Sequence, residues 1–453
     1  LSGSLGHNEG FVPNTSYKRY NVTGATQAQV TSWLNADLSM LYTFADNQQT
    51  FKGAGSPLLG LLVWPQTDNA KDWLSPAGTR RRLTANAAGV EYDNPYFMVN
   101  KNRIDSKNNR ILSNLGLTIT PFAWGYLKTN IGVDAYTNQN LILRHPESQA
   151  GFNWNGVLDV ADDVTRNLSA QTLFNFNNYA FNDDFAITGF LGNSVTDQKS
   201  VTDAMTGQDF LDPNFVSVNN TNLRYGQSTT SQRRLLSAFG QATVDFRRYL
   251  YLTVTGRNDW TSTIPRERNS FFYPSVSTSF IFSDAIPAIS NVMTGKLRAA
   301  YAEVGRDAKP YSYRPSLEYK VTSYGGYGYG FWGPNRNLRP EFKKSWELGT
   351  DLSFLGDRLG VDATYYSART YDQIVQNIRG SYGTGFVLFN LNGAETKNAG
   401  LELTVRGIPY MKGDFEWDVV ANFDKSAGKT LKLPNELPES YNSDTWLYGN
   451  VRN

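Results

Sequence analysis

An alternation of apolar and polar side chains, sustained over runs of ten residues or more, constrains this chain more than any other feature. Leu34, Ala36, Leu38, Met40, Tyr42 and Phe44 share one face, opposite Asn35, Asp37, Ser39 and Thr43, with Leu41 the exception. Leu127, Thr129, Ile131, Val133 and Ala135 alternate with Lys128, Asn130, Gly132 and Asp134. Trp346, Leu348, Thr350 and Leu352 alternate with Ser345, Glu347, Gly349 and Asp351, and Leu401, Leu403 and Val405 with Glu402, Thr404 and Arg406. A period of two puts successive side chains on opposite faces of a strand. Strands in globular sheets usually run about 5–6 residues, whereas a tilted strand crossing a bilayer takes about 9–11. About fifteen such strands can be laid along the chain, with almost no helical period between them.

The links between these runs alternate in length. Short links fall at 30–32, 121–123, 180–183, 247–248, 355–358 and 409–413, with a medium one of the same parity at 285–294. Long links fall between them at 46–110, 138–165, 196–233, 259–270, 305–342 and 371–397. Short turns at one end and long loops at the other mark an outer-membrane barrel, the short turns periplasmic and the long loops extracellular. A soluble sandwich has no reason to keep that parity. In hydrocarbon every backbone N–H and C=O needs an internal partner, and a closed antiparallel sheet supplies them. The expected fold is therefore all-β: a large antiparallel transmembrane β-barrel occupying residues 1–453, wide enough to hold water or a plug.

Composition narrows the function. Cysteine is absent, which removes disulfides, thiolate metal sites, Cys nucleophiles and a lipid anchor on this stretch. The net charge of +2 offers a nucleic-acid partner no electrostatic support. The longest apolar run, Leu58 to Trp64, is far too short for a membrane helix. There is no leader at Leu1 and no closing signal at Asn453, so the chain reads as an internal stretch of a longer barrel protein. The two histidines, His7 and His145, are far apart in sequence and in or near loops, which speaks against a His-based metal or triad site. Pairs such as Asp162-Asp163 and Asp183-Asp184 read as solvated turns rather than acid–base machinery. No catalytic residue, cofactor or metal is expected.

Three groups of side chains are candidates for binding. The long link 305–342 carries Tyr311, Tyr313, Tyr319, Tyr324, Tyr327, Tyr329, Phe331 and Trp332 around a Gly-rich stretch. Aromatic faces on an outer loop suit stacking on a sugar or packing on a lid protein, and equally suit packing on one another. On the polar sides of the strands, Lys128, Asp134, Arg298, Glu347, Asp351, Asp362, Glu402 and Arg406 are expected to face the lumen, lining a path or holding a plug. Arg80-Arg81-Arg82 is either a contact for lipopolysaccharide phosphates or a partner, or a solvated charge run. Aromatic residues near strand ends, such as Tyr249 with Tyr251 and Tyr365 with Tyr366, suit interfacial girdles, though strand propensity alone also favours them.

Ordered motifs add a resemblance. Asn337-Leu338-Arg339-Pro340-Glu341, Ser345-Trp346-Glu347-Leu348-Gly349 and Thr370-Tyr371-Asp372-Gln373-Ile374 resemble the late barrel of TonB-dependent receptors. Asn390 to Leu403, reading NLNGAETKNAGLEL, then Phe415-Glu416-Trp417-Asp418, is similar to the SusC/RagA branch; so is Gly256-Arg257-Asn258-Asp259-Trp260 with Phe272-Tyr273-Pro274. Each motif is weak alone; their order and spacing across nearly the whole chain are specific. The resemblance implies a barrel of about 22 strands in the full family, about 15 of them here, with an N-terminal plug. It also implies import of oligosaccharides or peptides, a SusD-like surface lipoprotein as lid, and TonB acting through a segment outside this chain. Lipid and lipopolysaccharide would surround it. The rival reading from another class is a barrel recruited as a structural subunit of a secretion or assembly complex; a passive porin and an outer-membrane enzyme have less in their favour.

Overall fold

The computed structural model describes residues 1–83, 91–180, 182–315, 317–319, 327–379, 383, 385–434, 440–441 and 451–452. The strands follow one another along the chain: β1 (Ser2–Glu9), β2 (Ser16–Thr31), β3 (Leu34–Gln49), β4 (Arg103–Phe122), β5 (Gly125–Arg144), β6 (Val157–Ala180), β7 (Phe185–Phe210), β8 (Thr221–Phe246), β9 (Leu250–Thr261), β10 (Ser270–Ile281) and β11 (Met293–Arg306). A small hairpin, β12 (Leu317–Tyr319) with β13 (Tyr327–Tyr329), lies in the link that follows. Then come β14 (Glu341–Phe354), β15 (Leu359–Arg379), β16 (Leu388–Lys412) and β17 (Phe415–Lys432). All except β12 and β13 form one 15-stranded antiparallel sheet in strict sequence order. The chain divides into two compact units: residues 1–117, 130–170 and 197–232, and residues 118–129, 171–196 and 233–453.

The expected parity holds. β2–β3, β4–β5, β8–β9, β14–β15 and β16–β17 are joined by links of two to four residues. The links 50–102, 145–156, 211–220, 262–269, 307–340 and 380–387 fall between them, and the β10–β11 link of the short parity, 282–292, is the medium one at eleven residues. The β8–β9 turn places Arg247 and Arg248 at φ 50° and 59°, left-handed values that a tight hairpin requires and that non-Gly residues adopt at a cost. Asp184 offsets that cost by accepting Arg247 Nε at 2.7 Å, and Asp245 accepts the Arg248 N–H at 2.7 Å.

Several strands outrun the sequence reading. β6, β7 and β8 span 24, 26 and 26 residues, so the links expected at 138–165 and 196–233 shrink to 145–156 and 211–220. These extensions are rich in Thr, Asp and Gln, without the apolar alternation that marks a membrane-spanning strand. In the first unit they are knitted by side chains instead. Ser106 donates to Asn140 (2.9 Å), Asn140 to Asp163 (3.1 Å) and Thr202 to the other oxygen of Asp163 (2.6 Å), a polar ladder across β4, β5, β6 and β7.

In the second unit the register of β11, β14, β15, β16 and β17 sorts the alternation, with Lys425 the exception on the apolar face. Leu297, Thr350, Ala363, Leu403 and Phe423 are cross-strand partners in one row; Ala299, Leu348, Tyr365, Leu401 and Lys425 form the next. These rows stay open to the surroundings: Leu348 is 54% exposed and Phe423 53%. A water-soluble fold would bury such a face. Left uncovered over rows of this length, it is matched to hydrocarbon.

Candidate functional site

On the opposite face of these strands stand six of the residues expected to face a lumen. Arg298 is partnered by Gly349, Gly349 by Thr364 and Thr364 by Glu402; Asp351 faces Asp362, Glu347 faces Tyr366 and Arg406 faces Gly360. Gly349 has a steric reason. A Cβ there would lie 3.1 Å from both Arg298 Nη2 and Thr364 Oγ1, so the bare backbone lets the guanidinium cross β14 to reach Asp362 at 3.1 Å and Asp351 at 3.2 Å. Lys296 Nζ completes the group at 2.6 Å from Asp351. On β5, Asp134 accepts both Nε and Nη2 of Arg110, at 2.7 and 2.8 Å, while Lys128 lies half-buried. Asp134, Arg298, Asp351 and Asp362 are thus held in charge pairs, and each solvated pair contributes little stability.

The aromatic link 307–340 is anchored at its root. Asp307 accepts Nε and Nη2 of Arg233, both at 2.9 Å, and the hydroxyls of Thr261 (2.6 Å) and Thr263 (3.0 Å). Burial alone would raise its carboxyl, but the Arg233 fork and the two hydroxyls outweigh burial and hold it below the usual carboxylate range. Beside it Ile264, Ala308 and Leu338 close a small core, with Tyr313 and Ile374 packed against it. Asparagines then pin the link to the ends of β15 and β16. Asn335 Nδ2 donates to the Asn390 carbonyl (2.7 Å), Asn390 Nδ2 to Ser312 (3.1 Å), and Asn392 Nδ2 to Arg339 and Asp372 (2.8 Å each).

This anchoring leaves a cleft of about 560 Å³, bordered by Lys309, Tyr311, Arg314, Trp332, Asn377 and Asn390. Trp332 is half-exposed and its indole N–H donates to Asn377 Oδ1 at 2.9 Å, which fixes the ring plane. Tyr311 sits at φ 62° and Asn377 at φ 60°. A left-handed tyrosine costs roughly 1–2 kcal/mol, and strain of this kind gathers at ligand sites. The cleft offers aromatic faces, amides and two cations.

Of the aromatic candidates, Tyr311 and Trp332 border the cleft. Tyr313 packs inward, its hydroxyl accepting from Arg314 Nε at 3.2 Å. Phe331 is exposed, its ring centroid 6.4 Å from that of Trp332. Tyr319 pairs with Tyr327, and Tyr329 with Leu317, along the β12–β13 hairpin; Tyr324 lies outside the described residues. Sequence reasoning missed the Arg233–Asp307 anchor and the asparagines, because no local pattern joins Arg233 to a carboxylate 74 positions away.

The long links of the first unit make a separate cluster. Arg80 is not solvated: it and Asp93 pair at 2.9 Å with 2% exposure each, and Arg80 also donates to the carbonyls of Glu147, Glu91 and Tyr92. Arg81 pairs with Asp68 and Arg82 lies 3.9 Å from Glu91. Arg80 is therefore internal scaffolding, whereas Arg81 is half-buried and Arg82 exposed. The same links carry two capped helices in contact with each other, α1 (Pro57–Val63) and α2 (Pro95–Lys101), whose N-caps are Ser56 and Asn94. His145 sits edge-on to Phe97, 5.5 Å between centroids, and accepts the Glu147 N–H at Nδ1. Burial, helped by Lys101, pushes its imidazole down to about 4. Among the described residues no group of three or more histidines and carboxylates is placed to hold a metal ion.

Comparison with known proteins agrees with this architecture. A family profile described as "TonB dependent receptor-like, beta-barrel" matches residues 42–450. A TonB-dependent receptor of Formosa agariphila is 22% identical, the match covering 96% of this chain and 44% of that protein. The TonB-dependent receptor SusC of Bacteroides thetaiotaomicron is 26% identical over 47% of this chain and 22% of its own. The solved RagAB peptide importer in its "closed-closed" state superposes with a TM-score of 0.78 at 18% identity, over 99% of this chain and 51% of that one. The chain spans about half the length or less of the relatives it matches.

Proposed function

We propose, from the premise that this chain belongs to the TonB-dependent receptor β-barrel family, that it forms wall and outer loops of an importer of large nutrients, oligosaccharides or peptides. The family is of the outer-membrane receptor and transporter type, and we assign the chain no chemical step. In this reading the polar face of β11, β14, β15 and β16 lines a wet lumen and the long links face outside. Import is energised through TonB, and a SusD-like surface lipoprotein closes over the long links.

The observation that carries the reading is the cleft beside Trp332 and Tyr311. Its indole is oriented by Asn377, its backbone is strained at Tyr311, and the loop around it is bolted to the strand ends by Asp307 and Asn390. Such preorganisation serves a ligand rather than a solvated loop. The likeness to SusC and to a peptide importer supports the substrate size class.

Uptake of fluorescent oligosaccharides and peptides by cells with and without the protein tests this. Loss of uptake of one class on deletion, and the same loss when the proton gradient is collapsed, is the expected result. Unchanged uptake of both classes, with displacement of other outer-membrane proteins, would favour the structural-subunit reading.

A further inference from the structure

The cleft beside Trp332 carries charge of one sign. Lys309 and Arg314 stand on its border, both exposed. Neither forms an ion pair among the described residues, and among them no carboxylate borders the cleft. The carboxylates around the link are engaged elsewhere. Asp307 at its root is held by the Arg233 fork, Glu341 at its far end lies 3.5 Å from Arg306 Nη1, and Asp372 on β15 lies 2.6 Å from Arg339 Nη2. The positive charge of the cleft is therefore left for a ligand to answer.

Arg314 is held at one end. Its Nε donates to the Tyr313 hydroxyl at 3.2 Å, and its guanidinium carbon lies 5.4 Å from the centre of that ring. The contact orients the guanidinium and leaves Nη1 and Nη2 without a hydrogen-bond partner among the described residues. Parallel N–H groups on an oriented guanidinium match the oxygens of a carboxylate or a sulfate. Lys309 adds a mobile point charge to this fixed fork.

The remaining border selects the scaffold that carries the anion. Trp332 presents a half-exposed ring held by Asn377, and Gln376 is exposed next to Asn377 in the chain. Aromatic faces stack on the C–H faces of sugar rings, and an amide can both give and accept a hydrogen bond with a hydroxyl. No Leu, Ile, Val or Met side chain borders the cleft among the described residues, so it offers little to the apolar side chains of a peptide.

We propose that the cleft takes an acidic oligosaccharide, with Trp332 stacked on a sugar ring and Arg314 and Lys309 reading carboxylate or sulfate groups on it or its neighbour. This rests on the importer reading and names the substrate class of the same cleft. Both cations are exposed, so the preference for acidic over neutral sugar falls as salt rises.

The test is binding of labelled oligosaccharides of one length to the whole protein, purified in mild detergent with the chains that accompany it. The probes are a neutral chain, a uronate chain, the same chain with its carboxyls reduced to alcohols, and a sulfated chain. The uronate or the sulfated chain should bind roughly tenfold or more tighter than the neutral and reduced ones, and whichever of the two binds tighter identifies the anion. K309Q/R314Q should erase this advantage while the neutral chain binds as before, which also shows that the variant is folded. K309R should keep it, as should R266Q, which removes an exposed cation from the link between β9 and β10. W332A should weaken every chain. Equal affinity for the uronate chain and its reduced form, lost in W332A, would overturn the charge reading alone and leave a neutral-sugar importer. Binding indifferent to W332A, an advantage that survives K309Q/R314Q, or an acidic peptide bound in preference to every sugar would each overturn the proposal. No binding of any sugar or peptide would overturn the importer reading with it.

Discussion

Arg233 and Asp307 meet through two parallel hydrogen bonds, Nε to Oδ2 and Nη2 to Oδ1, both 2.9 Å long. This pair ties the long link after β11 to the middle of β8. D307N should therefore leave the sheet intact and loosen the link. Losing one partner of such a pair costs about 2 kcal/mol, so amide exchange in 308–315 and 330–338 should rise roughly thirtyfold. The carboxyl is held below its ordinary value, so the pair's contribution is present above the unfolded carboxylate range and is lost as pH falls through the folded value. Protection of these segments, with the intrinsic pH dependence of amide exchange divided out, should be flat between pH 6 and 8; a fall in protection within that window would contradict the assignment.

His145 makes the opposite kind of prediction. Its imidazole is buried neutral, with a value near 4 against 6.5 in the unfolded chain. The unfolded state then binds more protons between those values, so the packing of 91–102 against 145–156 is fully stable above pH 6.5 and weakens as pH falls toward 4. The loss amounts to about 3 kcal/mol at most. Hydrogen exchange at pH 7 and pH 5 should show it, and H145Q should flatten the dependence. Equal protection at both pH values in wild type would show that burial does not hold the ring neutral.

In the cleft, W332A removes a ring worth about 1 kcal/mol in stacking and should lower uptake several-fold at unchanged protein level. Y311G should do the same while relieving the left-handed strain at that position, so its loop should become more stable as transport falls. Uptake retained in Y311G would place the ligand elsewhere.

The face assignment can be tested at Leu297, which lies between Lys296 and Arg298 in sequence but on the other side of the sheet. L297R should cost about 2–4 kcal/mol despite its two cationic neighbours, because it puts a charge into hydrocarbon. A300K, on the polar face, should stay within about 0.5 kcal/mol. Denaturant titration of the detergent-folded protein measures both, and equal effects would dissolve the distinction between faces.

Periodicity made the spanning parts of the strands legible, because one side chain in two must meet hydrocarbon. It did not reveal how far β6, β7 and β8 continue past that band, since segments such as Asp159 to Arg166 pair through polar side chains that leave no apolar trace. The arginine run at 80–82 looked solvated because its partners Asp93 and Glu147 become neighbours only when the links fold. Tyr311 and Trp332 were found among eight aromatic candidates, but the strain and the Asn377 bond that single them out are properties of the fold.

The most direct test of the importer reading is a mild-detergent purification of the protein from its own outer membrane, with mass spectrometry of every chain that accompanies it. The account predicts a SusD-like lipoprotein in stoichiometric amount. A retinue of secretion or assembly proteins without that lipoprotein would contradict it, leaving the barrel fold standing and the transport function wrong.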